Sequence, residues 1–316
     1  MARRKEVDLG KIKAISIKQR KNKVFVEDFA ELGKGSSFKA FWNSLPGYFA
    51  AEDIKRVVTS IRKAKEKDKP VIWFMGAHVI KVGLSPMIID LMKRGFVSAI
   101  GLNGAGSIHD VEIAMIGQTS EDVGMNISDG TFGMVKETSD FINSCVNAGV
   151  LEGLGFGESV GRQIESEKLK YRNLSLLASA YRLDIPVTVH IAIGTDIIQV
   201  HPSFDGACTG EASARDFRIM ANNISRIGNG GVIMNVGSAV ILPLIVEKSL
   251  SIAHNLGKNV NKFTGVNLDF VQHYRSNLNP VKRAKEHGGD GISITGHHEL
   301  TIPLIYWALR TGADLK

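Results

Sequence analysis

The sequence predicts an α/β protein built on a parallel sheet with helices on both faces. Two observations lead to this prediction. Six short apolar runs recur along the 316-residue chain, and segments with apolar residues at helical spacing separate them. Alternation of strands and helices is typical of a parallel sheet covered on both sides. The predicted strands are 70–78, 97–106, 185–194, 230–238, 262–268 and 291–298.

The segments between these runs predict helices with recognisable ends. The stretches SPMIIDLMKRG (85–95), EASARDFRIMANNISRIG (211–228) and LPLIVEKSLSIAHNLG (242–257) each carry apolar residues at helical spacing and each stop on a glycine. The stretch 117–160 differs, because it is rich in glycine and carboxylates, and we expect a long connection with helical pieces that forms a lid. No linker divides the chain, so we predict one domain over residues 1–316.

Composition indicates a globular protein that stays out of the membrane. The chain is 44% hydrophobic and 22% charged, and its longest apolar run, VGSAVILPLIV (236–246), is about half of a bilayer span. The formal net charge is +7, with much of the excess in a basic N-terminal extension of about residues 1–35 that we interpret as a solvated tail. Basic runs with interleaved aromatic residues do not occur elsewhere, which disfavours nucleic-acid binding. Two cysteines without a CxxC pair, Cys145 and Cys208, favour a reducing, cytoplasmic compartment.

Small and polar residues follow the predicted strands, at the edge where parallel sheets bind ligands. A turn of small residues after the second strand would bring backbone amides close to a pyrophosphate at a helix start, although an ordinary tight turn explains it equally well. The same two interpretations apply to Gly237 and Ser238. The candidate cofactor contacts are therefore Asn103, Gly104, Ala105, Gly106, Gly237 and Ser238.

Asp196 and His201 follow the third predicted strand. A carboxylate at position 196 would bind an ammonium group or a ribose, and the alternative is a helix N-cap, a position that aspartate favours. His201 would share that pocket, and the alternative is a turn residue before Pro202. Both residues are candidate catalytic groups.

Four blocks of the chain, in the same order, resemble the deoxyhypusine synthase family. They are LNGAGSIHD (102–110), DIPVTVHIAIGTDIIQVHPS (184–203), VIMNVGSAVILPLI (232–245) and ITGHHELTIPLIYWA (294–308). The resemblance implies a doubly wound, Rossmann-like NAD-binding fold and a homotetramer, or at least a dimer, with sites between subunits. It also implies NAD as cofactor, Asp110 as a further cofactor contact, and transfer of an aminobutyl group from spermidine through a lysine.

The chain departs from the family's pattern in the blocks that hold the cofactor contacts and the nucleophile. The acidic residues of the family's first NAD turn are replaced by Ile108 and His109, and the aspartate that opens its next block is replaced by Ile191. The family's nucleophile block falls against NPVKRAKEHGG (279–289), which lacks its tryptophan and glutamate. Its lysine is not at the family's spacing from the proline. Lys285 and Lys282 are the nearest candidate nucleophiles, and an ordinary solvated helix end is the alternative.

Three functions therefore stay open. The first is an NAD-dependent enzyme that acts on a polyamine or another small polar amine without being a true deoxyhypusine synthase. The second is a non-catalytic nucleotide-binding homologue, which a solvent-facing Lys285 would favour. The third is a metal-dependent hydrolase that uses the histidines near the strand ends, although no HxxxH or HxH spacing supports a metal site. These histidines are His78, His109, His190, His201, His297 and His298.

Overall fold

The computed structural model describes residues 4–313, and its centre is a six-stranded parallel sheet. The strand order is β3-β2-β1-β4-β5-β6, the arrangement of Rossmann-type folds. All six strands lie within one residue of the predicted runs. Their bounds are β1 Val71–Met75, β2 Ala99–Asn103, β3 Val187–His190, β4 Val232–Val236, β5 Thr264–Asp269 and β6 Asp290–Thr295.

Helices connect and cover the strands, and the three predicted helices are among them as α4, α10 and α11. The helices are α1 Phe38–Ser44, α2 Phe49–Glu66, α3 His78–Lys81, α4 Ser85–Lys93, α5 Gly104–Ile116, α6 Val123–Asp129, α7 Lys136–Leu151, α8 Phe156–Ser166, α9 Leu176–Arg182, α10 Gly206–Ile224, α11 Ile241–Asn255, α12 Tyr274–Ser276, α13 Arg283–Glu286 and α14 His298–Thr311. Within residues 4–313, none of them is long and apolar enough to cross a membrane.

The two faces of the sheet bury separate apolar clusters. On β1, Trp73 belongs to the larger cluster with residues of α2, α4, α5 and α14, whereas Phe74 belongs to the smaller one with residues of α10 and α11. Side chains alternate between the faces of a strand, so neighbours on β1 enter opposite layers. Because both faces are covered at the centre of the sheet, β1 is apolar throughout rather than alternating, with the sequence VIWFM.

The strand order places the topological switch point between β1 and β4. The chain runs outward from β1 to β2 and β3, then crosses back to β4 and runs outward in the other direction. Register pairs Met75 with Val236, so the two strands end side by side. Helices that follow β1 and β4 diverge to opposite faces and leave a crevice, which is where such sheets bind ligands.

The stretch after α5 contains more regular structure than a loop. Helices α6, α7 and α8 occupy most of residues 117–166, and Asp122 caps α6 by accepting a hydrogen bond from Met125 N at 3.1 Å. Helix α7 buries Ile142 and Val146 in the larger apolar cluster. We call residues 117–140 the lid. The prediction of one domain over the whole chain stays a prediction.

Candidate functional site

Backbone meets backbone at the switch point, where β1 and β4 end. Gly76 N donates a hydrogen bond to Val236 O at 2.9 Å, and Gly237 N donates one to Leu268 O at 3.1 Å. A Cβ atom on Gly76 would lie 2.1 Å from Gly237 O, closer than any side chain can approach. Gly237 has a φ of +66°, a conformation that glycine adopts without strain. The close approach of the ends of β1 and β4, which we call the crossing, therefore depends on glycine at both positions.

Four aromatic rings meet beside this crossing, and we call them the ring cluster. Phe270 follows β5, His78 follows β1, and His297 and His298 follow β6. Phe270 stacks on His297 with centroids 5.9 Å apart and an angle of 10° between the planes. His298 is fully buried between Phe270 and His78, and burial lowers its pKa, so it is neutral at pH 7. Phe270 is 46% exposed and presents a planar apolar surface at this edge.

The turn after β2 combines a helix start with a carboxylate. Asn103 caps α5, since its Oδ1 accepts a hydrogen bond from Gly106 N at 3.0 Å. Gly104 has no side chain, and a Cβ there would lie 2.0 Å from Asp196 Oδ2. Glycine at position 104 thus admits the carboxylate of Asp196 to the start of the helix. A pyrophosphate placed at the same turn would lie beside this carboxylate.

A cavity of about 280 Å³ opens next to this turn. Three carboxylates, a lysine and a histidine contribute to its walls together with apolar side chains of the lid. The polar part comes from α3, α5, the lid and the segment after β3. The lining residues are Lys81, Ala105, Ile108, His109, Glu112, Ser120, Glu121, Val123, Phe132, Val135, Thr195, Asp196 and Ile197.

Asp196 is the least satisfied of the three carboxylates. It is the N-cap residue of the turn Ile197–Val200, the alternative given for it above, and it forms a capping box with Gln199. Its Oδ2 also receives a long hydrogen bond from Gln199 Nε2 at 3.4 Å, and it forms no ion pair with a basic side chain of residues 4–313. Burial raises the pKa of Asp196 from 3.8 to about 6. The carboxylate is therefore ionised at neutral pH but loses solvation without a compensating charge, which is the state that a cationic ligand would relieve.

Glu112 belongs to a hydrogen-bonded chain that orients His109. Thr119 Oγ1 donates to Glu112 Oε2 and lies 2.6 Å from His109 Nδ1. Burial opposes ionisation of Glu112, but its contacts with His109 and Thr119 outweigh it, so its pKa lies below the ordinary value. An ionised Glu112 requires the threonine hydroxyl to point at it, and His109 Nδ1–H then donates to the threonine. This tautomer leaves Nε2 of His109 as a proton acceptor.

Glu121 lines the cavity and also forms hydrogen bonds within the lid. Its Oε2 accepts from Asn126 Nδ2 at 2.9 Å, and its Oε1 accepts from Gly133 N at 2.9 Å. His201 attaches to the same lid, because its Nε2 lies 3.3 Å from Gly133 O. His201 is not among the residues that line the cavity, so the shared pocket predicted for Asp196 and His201 is not present in the structure.

The predicted nucleophile Lys285 lies at the opposite edge of the sheet, and this prediction is corrected by the structure. Lys285 is exposed on α13, and its Cε lies against Gly291, where a Cβ would be 2.9 Å away. Gly291 is at the amino end of β6, about 13 Å of strand from the carboxyl edge. Lys285 was a candidate as a nearby lysine of the matching block, although its spacing from the proline differs from the family's, and the segment before it, Asn277–Lys282, is irregular.

Asp110 cannot contact a cofactor in this structure, which corrects the expectation from the resemblance. The residue is fully buried, and its carboxylate accepts from Ser175 Oγ, from Leu176 N at 2.7 Å and from Leu177 N at 3.1 Å. Burial raises the pKa of Asp110 to about 6, against the effect of these hydrogen bonds. The aspartate holds the start of α9 against α5, which is a structural role.

The remaining predicted contacts lie in two groups. Ala105 lines the cavity beside Asp196, with Asn103, Gly104 and Gly106 in the same turn. Gly237 and Ser238 lie at the end of β4, and Ser238 O accepts from Asn235 Nδ2 at 2.9 Å.

A metal site is not formed by the histidines near the strand ends. Among residues 4–313, no group of three or more His, Cys, Asp or Glu side chains is arranged to hold a metal ion. His190 lies next to Thr188, and burial lowers the pKa of His190 to about 3. His297 contacts Glu299 at 3.8 Å, and both are exposed.

One lysine and two carboxylates of the cavity were not predicted as site residues. Lys81 lies one turn after β1, Glu112 follows Ile108 by one helical turn, and Glu121 comes from the lid. The spacing of Glu112 was a usable signal, because residues four apart on a helix share a face. Lys81 and Glu121 have no such signal, since their place in the cavity depends on how separate segments pack.

No family model and no curated protein matches this sequence. Solved structures do match. An LOR/SDH protein from Methanococcus maripaludis superposes with a TM-score of 0.55 at 15% identity, over 84% of this chain and 69% of that one. A protein from Entamoeba histolytica assigned as a deoxyhypusine synthase gives 0.51 at 14% identity, over 88% and 94% of the two chains.

The third comparison is with AgrE, solved in a ternary complex with ornithine and NAD+. It superposes with a TM-score of 0.51 at 15% identity and covers 82% of this chain, and this chain spans about a third of AgrE, 32%. At such identities these comparisons show a shared fold. Together with the strand order, they confirm the predicted Rossmann-like fold.

Proposed function

We propose that the chain binds NAD along the carboxyl edge of its sheet and a polyamine or other small polar amine in the cavity beside Asp196. The observation that carries this proposal is the carboxylate of Asp196, which lines the cavity without an ionic partner among residues 4–313. An ammonium group would supply that partner. A cavity of about 280 Å³ has the volume for a small amine.

The structure favours one part of the edge for the pyrophosphate over another. The turn at residues 103–106 fits a ribose better than a phosphate, because an ionised Asp196 accepts hydrogen bonds from hydroxyl groups and repels anions. Gly237 is half-buried, carries no side chain and lies at the switch point, which suits the pyrophosphate. The neighbouring ring cluster offers the exposed face of Phe270 to a planar ring. The likeness to AgrE, whose structure contains NAD+, supports this assignment.

The residues of the chain would prepare an amine for oxidation. When bound, NAD supplies an acceptor for a hydride. Asp196 would hold the ammonium group of the substrate, and its ionisation is required for this. His109, with Nδ1–H directed to Thr119, presents Nε2 as the proton acceptor that frees the amine lone pair. The apolar side chains Phe132 and Val135 of the lid would keep water from the reacting atoms.

Calorimetry tests the cofactor. Wild-type protein titrated with NAD is expected to show saturable binding at micromolar to millimolar concentration, and Ala105→Glu is expected to abolish it by adding bulk and charge beside Asp196. The matched control is Ala148→Glu, which adds the same side chain at an exposed position of α7. Absence of heat from the wild type at millimolar NAD, with no competition by NADH, would reject NAD as the cofactor.

A second candidate function is a nucleotide-binding protein without catalytic activity, and the solvent-facing position of Lys285 favours it. Transfer of an aminobutyl group needs a lysine held against the nicotinamide. Incubation with NAD and labelled spermidine, followed by borohydride and mass spectrometry, is therefore expected to leave Lys285 unmodified. NADH formation without an adduct would support amine oxidation over the non-catalytic function. An adduct on Lys285 would restore the resemblance-based mechanism and contradict both.

A further inference from the structure

The N-terminal segment exposes apolar side chains that a solvated tail would not carry. Every residue of 4–24, which we call the arm, is exposed. It contains eight basic residues and two acidic ones. Its six large apolar side chains are between 53% and 83% exposed: Val7, Leu9, Ile12, Ile15, Ile17 and Val24. A row of exposed apolar side chains indicates a surface that another partner covers.

The base of the arm is fixed to the body. Tyr48 hydrogen-bonds through its hydroxyl to both backbone groups of Phe25. Gly47 N donates to Asp28 O at 2.9 Å, and Glu31 N donates to Ser44 O at 3.1 Å. These contacts hold residues 25–31 against the turn between α1 and α2. The arm therefore starts from a defined place on the surface.

The lid has the complementary composition. Residues 117–140 contain five acidic residues and one basic residue. Val123, Met125, Ile127 and Met134 on the lid are between 49% and 70% exposed. The lid and the arm therefore both expose apolar side chains, but the lid has a net negative charge and the arm a net positive charge. Charge complementarity of this kind selects partners and speeds their association.

We propose that the arm of one copy of this chain docks on the lid of a second copy. Within residues 4–313 no hydrogen bond or ion pair links residues 4–24 to residues 117–140, so the two surfaces do not satisfy each other within one chain. Helices α1 and α2 at the base of the arm pack on α14 and β6, whereas the lid follows β2. Strands β6 and β2 are four positions apart in the sheet, about 19 Å.

Docking would connect assembly to the cavity. Glu121, Val123, Phe132 and Val135 of the lid line the cavity, and Val123 and Val135 are exposed. A second copy's arm would cover those apolar side chains and hold the lid in its position beside the cavity. This inference concerns the association of two chains and stands whether or not NAD binds.

Charge reversal on both surfaces tests the proposal in the full-length chain. Light scattering after size exclusion is expected to give a dimer or larger assembly for the wild type at micromolar concentration. Lys13→Glu with Lys18→Glu in the arm, or Asp129→Lys with Glu137→Lys in the lid, is expected to weaken association about tenfold or more. The four substitutions together are expected to restore most of it. Lys63→Glu with Lys93→Glu, both on exposed helix positions, is the control for net charge.

Three results would overturn the proposal. A wild-type mass of 34.3 kDa shows a monomer. An assembly that survives both double variants shows that other surfaces hold the copies together. Loss in each double variant without recovery in the combined variant shows that arm and lid do not contact each other. In that last case, anionic vesicles and RNA are the probes for a different partner of the arm.

Discussion

Asp196→Asn is expected to weaken spermidine binding about 10- to 100-fold at pH 8. The reason is the loss of a charged hydrogen bond, which contributes about 1.5–3 kcal/mol. Calorimetry with spermidine measures this effect in the presence and absence of NAD. The matched control, Asp184→Asn, changes an exposed carboxylate outside the cavity and should leave spermidine affinity unchanged. Unchanged spermidine affinity in Asp196→Asn would contradict the amine site, even where the affinity for NAD falls.

The same substitution is expected to stabilise the unliganded protein above pH 6. Burial raises the pKa of Asp196 from 3.8 to about 6. Between pH 4 and pH 6, therefore, the folded protein keeps a proton on this carboxylate that the unfolded chain has released. Wild-type stability therefore falls as pH rises from about 4 to about 6, and asparagine removes that loss. The gap in pKa corresponds to about 3 kcal/mol, and partial exposure reduces the expected gain to about 1–2 kcal/mol.

Denaturant unfolding at pH 4 and pH 8 measures this gain. Asp196→Asn and wild type should have similar free energies of unfolding at pH 4, where both side chains are uncharged in the folded state. They should differ at pH 8. Equal stability at both values would show that the carboxylate is better solvated than its burial indicates.

Gly76→Ala is expected to lower the free energy of unfolding by about 2–4 kcal/mol. The added Cβ would lie 2.1 Å from Gly237 O, and neither strand end can move without disturbing the hydrogen bond from Gly76 N to Val236 O. Because the two strands carry the halves of the fold, the NAD affinity of any folded fraction should also fall. Thermal unfolding should show a decrease in Tm of several degrees.

Gly210→Ala is the control for the same change in an uncrowded place. Gly210 lies within α10, and no atom lies within 4 Å of the position of its Cβ. Alanine there is expected to stabilise the protein by about 0.5–1 kcal/mol, because glycine is a poor helix former. If Gly76→Ala behaves like Gly210→Ala, the close approach of β1 and β4 is not a constraint on the fold.

The fold was largely predictable from local patterns, whereas the site was predictable only in part. Apolar runs and glycine stops located all six strands and the helices α4, α10 and α11. Asp196 was predicted because it follows the third predicted strand and Ala105 because it lies at a helix start, and the structure places both in the cavity wall. The stretch 117–160 was expected as a long connection with helical pieces, and the structure has α6, α7 and the start of α8 there.

Asp110 and Lys285 show why the rest could not be predicted. Both lie beside motifs that suggested a functional role. The carboxylate of Asp110, however, accepts hydrogen bonds from the start of α9, and Lys285 faces solvent at the amino edge of the sheet. The burial of a side chain and its hydrogen-bond partners depend on how the whole chain packs, and a sequence motif does not specify them. The proposed pairing of arm and lid was also hidden, because a charge count describes the arm as a solvated tail and does not register its exposed isoleucines.

The sequence by itself determined the period of the strands and helices, and hence a parallel sheet with an edge of small and polar residues. Such patterns are local, since a strand or helix records its buried face within a few residues. Only the tertiary structure decided which polar residues share a cavity. Lys81, Glu112, Glu121 and Asp196 come from four separate segments, and their distances depend on strand order and on the path of the lid. Desolvation of Asp196 likewise arises from its neighbours across the fold, which no stretch of the sequence specifies on its own.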